Sequence, residues 1–127
     1  MAERQMETVL SDVRADHTAR YHWAAQRLSG SILDAACGCG YGSAILADAG
    51  LSVVAVDVSE DAIEHAAKHW SRPGIEWLCA DVTAMTFPPA DAAVSFETIE
   101  HLPSPLGFLQ SLREAAPRLL ASVPNEA

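Results

Sequence analysis

The stretch at residues 32–42, I-L-D-A-A-C-G-C-G-Y-G, limits what this chain can fold into more than any other. An apolar run meets an acidic residue, Asp34, then glycines at the alternate positions Gly38, Gly40 and Gly42, before a helical pattern begins at Ser43. A strand that turns through glycines into a helix is a backbone suited to close approach by a ligand. Lacking Cβ atoms, the glycines reach φ/ψ values closed to other residues and leave room for a bound group. The start of the following helix offers unpaired N–H groups.

Around that loop, apolar runs and amphipathic segments alternate. Residues 31–35 read as a first strand, residues 43–49 as a short apolar helix stopped by Gly50, and residues 51–56 as a buried strand ending at Asp57. Ser59 is placed to cap a helix over residues 60–70, and Pro73-Gly74 turns the chain into a third strand at 75–79, ending near Asp81. A fourth strand at 91–95 leads into a short helical turn, E-T-I-E-H-L. Ser104-Pro105 opens a helix to about residue 116, and a fifth strand at 118–123 is stopped by Pro124-Asn125.

Upstream, apolar residues at three- and four-residue intervals from Met6 to Leu28 predict one or two amphipathic helices, a cap over residues 1–30 that ends at Ser29-Gly30. Its segment R-A-D-H-T-A-R-Y-H-W-A-A reads either as a helix covering one end of a sheet through an aromatic anchor, or as a lid over the ligand.

Strands alternating with helices at this spacing imply right-handed crossovers and an α/β fold: a doubly wound, Rossmann-like parallel sheet of about five strands in a single domain over residues 1–127. Ligands of such sheets bind at the carboxyl ends of the strands, where the strand order reverses. Asp34, Asp57, Asp81 and Glu97 each close or follow a strand, so all four are expected at that edge.

Charge narrows the choice of ligand. With 17 acidic and 8 basic side chains, the formal net charge of -9 repels a phosphate-rich partner, so nucleic acid is not expected. The apolar runs fall well short of the roughly 20 residues that cross a bilayer. The beginning M-A-E-R-Q-M-E lacks a secretory pattern, and the expectation is a cytoplasmic protein without a membrane partner. Three cysteines, two of them in the glycine loop, read as reduced thiols. A metal held by Cys37, Cys39 and Cys79 is not favoured.

An acidic residue at the end of a second strand accepts hydrogen bonds from both hydroxyls of a ribose, the expected role of Asp57. Asp81 is placed to meet the exocyclic amine of an adenine, with Val58, Val82 and Met85 available to cover the ring. A dinucleotide is the rival. Its fingerprint is G-x-G-x-x-G, whereas G-C-G-Y-G-S from Gly38 sets a glycine one position early and serine at the third glycine's place. Asp34 would also direct negative charge at a pyrophosphate. A cationic ligand would be favoured by that charge.

Together these motifs resemble those of class I S-adenosylmethionine-dependent methyltransferases. The family's first motif is matched by Asp34-Ala35-Ala36-Cys37-Gly38-Cys39-Gly40-Tyr41-Gly42, the second by V-V-A-V-D ending at Asp57, and the third by C-A-D-V around Asp81. D-A-A-V-S-F-E-T-I-E-H-L resembles the fourth motif of small-molecule methyltransferases, R-L-L-A-S-V-P-N-E the fifth strand, and R-Y-H-W-A-A the preceding helix of some members. The resemblance implies S-adenosylmethionine as cofactor, with Ala36, Gly38, Gly40 and Gly42 against its methionine part and Asp34 near its ammonium. It further implies Asp57 at the ribose, Asp81 at the adenine amine, and Val58 and Val82 on the ring faces.

His101 and Glu97 follow the fourth strand at the expected acceptor pocket and are the candidate catalytic bases, Glu97 also lining the cofactor. Glu97, Glu100 and His101 share one face of a helical turn and could hold a divalent metal. A pocket-lining role without metal is the preferred reading. The family's sheet normally continues into an antiparallel hairpin of strands six and seven, which is not expected within these 127 residues, whether they are a fragment or a natural short form. The fifth strand is then an apolar edge, expected to be covered by a second copy in a homodimer. The main reading is a methyltransferase acting on a small molecule. A catalytically incomplete S-adenosylmethionine-binding module and a nicotinamide-dependent oxidoreductase are the alternatives.

Overall fold

The computed structural model describes residues 15–96 and 98–122, the side chains of Asp16 and Glu100 excepted. In chain order the elements are α1 (Ala15–Arg27), β1 (Ser31–Ala35), α2 (Tyr41–Asp48), β2 (Ser52–Asp57), α3 (Glu60–His69), β3 (Ile75–Cys79), β4 (Ala92–Ser95), a 3-10 turn (Ile99–His101), α4 (Pro105–Ala115) and β5 (Arg118–Ala121). The five strands form one sheet in the order β3-β2-β1-β4-β5, and every pairing is parallel. β1 is central: Ile32 pairs with Val53 on one side and with Ala92 on the other. The chain builds outward from β1 through β2 to β3, then returns to β4 and β5. The order therefore reverses between β1 and β4, which places the ligand cleft at their carboxyl ends.

Period-two alternation sorts the side chains into two cores. Ile32, Val53, Ala55, Ala92 and Val94 pack with Tyr21, Ala24 and Leu28 of α1 and Ile45 and Leu46 of α2. On the other face Leu33, Ala35, Val56 and Ala93 pack with Phe108 and Leu112 of α4 and with Val82 and Phe87 of the β3–β4 connection. Leu33, Leu46 and Leu112 are fully buried, and burial of each such side chain contributes about 2 kcal/mol.

Local chemistry sets the boundaries. Ser59 caps α3, its Oγ accepting the Ala62 N–H at 3.1 Å, and Glu60 and Asp61 in the first turn with Lys68 in the last complement the helix dipole. Pro105 opens α4 at a position where no N–H is needed. The helix α2 starts at Tyr41, two residues ahead of the expected Ser43, because Gly40 in the left-handed region (φ 106°) serves as its N-cap. β4 starts one residue later than expected, at Ala92. Asp91 instead clasps the start of β1: its N–H donates to the Ser31 carbonyl at 2.9 Å, and its carboxylate accepts the Ser31 N–H at 2.8 Å.

Of the expected N-terminal helices, α1 lies within the described residues. It is a covering helix whose anchor is Tyr21, which is buried, while Trp23 is 45% exposed with the Arg27 guanidinium 4.2 Å from its ring centre. The expected helical residues before position 15, and the end of the fifth strand with its Pro124-Asn125 stop, lie outside the described residues. Among the described residues no helix is long and apolar enough to cross a membrane.

Candidate functional site

At the switch point the chain leaves β1 through the loop to α2. Ala36, Gly38 and Gly40 all have positive φ, at 65°, 60° and 106°, so the backbone coils tightly as it leaves the strand. The Cys37 N–H donates to the Val56 carbonyl at 2.8 Å, pinning the loop to β2. Asp57, at the end of β2 and nearly buried, accepts the Gly38 N–H at 2.9 Å on one carboxylate oxygen and the Ser59 N–H at 3.0 Å on the other. One carboxylate thus ties the glycine loop to the start of α3.

The three glycines have different reasons for lacking a side chain. A Cβ on Gly40 would lie 2.5 Å from Cβ of Ala66 on α3, and one on Gly42 would overlap the ring of Tyr21. Both are positions of close packing within the protein. At Gly38 a Cβ would meet nothing within 4 Å. Gly38 is therefore the glycine whose open side can receive a ligand.

Asp34 lies on the same strand face as Ile32, towards α1 and α2, and is completely buried. The Tyr21 hydroxyl donates to its Oδ1 at 3.1 Å and the Ser43 hydroxyl to its Oδ2 at 2.7 Å. Burial raises its pKa to about 6, against the lowering effect of the hydrogen bonds from Ser43 and Tyr21. Burial, then the adjacent Asp34 charge, pushes the Tyr21 phenol well above its ordinary range. The Tyr21 ring also meets Tyr41 edge-on at 5.9 Å and Phe96 at 5.0 Å, joining α1, α2 and the end of β4. Burial likewise raises the Cys37 thiol, which keeps it protonated and inert.

Beyond β2, Val58 is 62% exposed, a large apolar side chain facing solvent beside Asp57. Asp81 is exposed, and its Oδ1 accepts the Thr83 hydroxyl at 2.6 Å and the Thr83 N–H at 2.9 Å. These bonds hold its carboxyl below the ordinary range. Val82 is buried in the core with Phe87 and Phe108, and Met85 packs against that cluster.

After β4, His101 is exposed in the 3-10 turn, its N–H donating to the Thr98 carbonyl at 2.9 Å. Glu97 lies outside the described residues, as does the side chain of Glu100, so the spatial relation of the expected Glu97, Glu100 and His101 trio is not described. Among the described residues no group of three or more His, Cys, Asp or Glu side chains is arranged to hold a metal.

Sequence reasoning missed Tyr21 and Ser43 as partners of Asp34. A signal was present in Gly42: a glycine in the first turn of a helix, where flexibility is a cost, marks a place where something large packs on the backbone.

A parallel sheet in this order, with a glycine loop and an acidic strand end at its switch point, defines a Rossmann-like cofactor-binding domain. Residues 32–119 match the family described as "Methyltransferase domain", and the chain belongs to that family. It is 31% identical over 115 residues to the "Probable S-adenosylmethionine-dependent methyltransferase" of Mycobacterium tuberculosis, a match covering 86% of this chain and 41% of that protein. It is 39% identical over 89 residues to the mitochondrial ubiquinone biosynthesis O-methyltransferase of Schizosaccharomyces pombe, covering 65% of this chain and 32% of that one. In fold it resembles magnesium protoporphyrin IX methyltransferase of Synechocystis PCC 6803, solved with bound SAH, with a TM-score of 0.76 at 22% identity over 99% of this chain and 64% of that one. The chain thus spans about two fifths or less of the length of these two curated relatives.

Proposed function

We propose that this chain is the cofactor-binding core of an S-adenosylmethionine-dependent methyltransferase that acts on a small molecule. The observation that carries the reading is the open backbone of Gly38 bonded to the Asp57 carboxylate at the mouth of the switch point. Nearly buried Asp57, an acidic residue at the end of the second strand, is the proposed acceptor for the two ribose hydroxyls. Exposed Val58 supplies an apolar face for the adenine, with Val82 and Met85 as the opposing wall and Asp81 at the exocyclic amine. The methionine end lies along Ala36 and the open side of Gly38, while the expected contacts at Gly40 and Gly42 give way to close packing of the loop on Ala66 and Tyr21. Asp34, above its pKa of about 6, adds negative charge beneath that end and favours the ammonium over a pyrophosphate.

When bound, S-adenosylmethionine supplies a sulfonium methyl that is already activated. The protein's residues then hold the acceptor in line with that methyl and keep water out. His101 and Glu97, after β4, are the proposed bases for an acceptor that must lose a proton. The relatives named as ubiquinone biosynthesis O-methyltransferases support an oxygen nucleophile on a small molecule.

The reading includes a cytoplasmic location and a homodimer through β5. Among the described residues, Arg118–Ala121 pairs on one side only, with β4. A monomeric mass by light scattering at high concentration would remove the dimer.

The main test is calorimetry with S-adenosylmethionine, S-adenosylhomocysteine and NAD, followed by S-adenosylhomocysteine release with a panel of hydroxylated metabolites. Binding of the first two but not of NAD, with turnover, is expected. Binding without turnover would move the assignment to a cofactor-binding module, and no affinity for either adenosyl compound would overturn it.

A further inference from the structure

Away from the cleft, α3 carries two imidazoles that the methyltransferase reading does not use. His65 and His69 stand one helical turn apart, their ring centres 4.6 Å from each other and their planes tilted by 47°. They lie in an open depression lined by Asp61, Glu64, His65, Lys68 and His69. The i, i+4 spacing puts both rings on one helix face, and histidines at this spacing on a helix can ligate a single zinc ion.

We propose that His65 and His69 form a two-point site for a divalent transition ion of the zinc, nickel or copper type, with water completing the coordination. Imidazole nitrogen suits these ions, whereas magnesium and calcium prefer oxygen ligands. Asp61 and Glu64 place negative charge at the rim and Lys68 opposes it, within a chain whose net charge of -9 favours cations. The adjoining face of the same helix buries Ala62 and Ala66, and Ala66 is the residue that crowds Gly40. An ion clamped across His65 and His69 would therefore hold in helical form the turn on which the glycine loop rests.

The experiment is nickel calorimetry and thermal unfolding with nickel, zinc or magnesium chloride. It uses the full chain with Cys79, the exposed thiol, replaced by Ser in every variant so that imidazole ligation is what is read. One nickel ion per chain and a higher unfolding temperature with nickel and zinc are expected, with no response to magnesium. His65→Gln and His69→Gln should each weaken nickel binding on the order of tenfold or more, while both unfold at the parent temperature in the presence of a chelator. No nickel binding by the parent, or the same affinity and stoichiometry in both variants, would overturn the assignment.

Discussion

The Tyr21 hydroxyl donates to Asp34 Oδ1 at 3.1 Å, so the covering helix α1 is bonded to the most deeply buried charge of the central strand. That carboxyl titrates at about 6 against an ordinary 3.8. Between those values the folded chain holds a proton that the unfolded chain has lost. Asp34 therefore favours the folded state at low pH, and this contribution is lost as pH rises from about 4 to 6, by about 3 kcal/mol in all. Relative to Asp34→Asn, the wild type should lose stability on going from pH 4 to pH 8 in chemical denaturation. A gain over the same range would refute the buried-acid account.

Tyr21→Phe keeps the ring packing and removes the donor. The loss should be about 1.5–3 kcal/mol at pH 8, where the acceptor is charged, and smaller at pH 4. Equal losses at the two pH values would show that the bond to the carboxylate is not what the hydroxyl provides.

The glycines should separate by experiment. Gly42→Ala drives a methyl into the Tyr21 ring and Gly40→Ala drives one into Ala66, so each should cost about 1–3 kcal/mol or more. Tyr21→Leu should recover part of the Gly42→Ala loss, a coupling readable in a double-mutant cycle. Gly38→Ala meets open space and should cost only the strain of its positive φ, about 1–2 kcal/mol, while weakening S-adenosylmethionine binding measured by calorimetry.

Ala36 holds a left-handed φ of 65° that glycine adopts without strain. Ala36→Gly should be neutral to stabilising, by up to about 1 kcal/mol in urea midpoints. A clear destabilisation would mean that the Ala36 methyl makes packing contacts that outweigh the strain.

Asp57 and Val58 are neighbours with different duties. Asp57→Ala leaves the Gly38 and Ser59 N–H groups without their acceptor, so it should lower both the unfolding temperature and the affinity for S-adenosylmethionine. Val58→Asp changes an exposed side chain, and its effect should fall on affinity alone. Unaltered affinity in both variants would place the adenosine elsewhere.

Much of this architecture is legible in the sequence because it is set locally. The acidic ends of β1 and β2, the Ser59 cap, the Gly50 stop and the period-two runs each depend on a few adjacent residues. The inner side of the site is not local. Asp34 reads as a ligand contact when its strand is considered alone, and only the packing of α1 and α2 shows that its carboxylate is shared by Tyr21 and Ser43. A glycine in a sequence likewise does not tell whether its missing Cβ makes room for a cofactor, as at Gly38, or for the protein itself, as at Gly40 and Gly42. The start of α2 at Tyr41 depends on the left-handed turn at Gly40, which lies inside the motif and reads as loop.

The central position of β1 also orders the events of folding. Ile32 meets Val53 early along the chain, but its other neighbour, Ala92, and the Ser31–Asp91 clasp lie about sixty residues away. Closing that span costs entropy before the contact is gained. On the ribosome, β1, β2 and β3 would emerge as a half-sheet with the flank of β1 uncovered. Cooperative folding then waits for the segment around Ala92, and a nascent chain stalled before that point should remain open to protease.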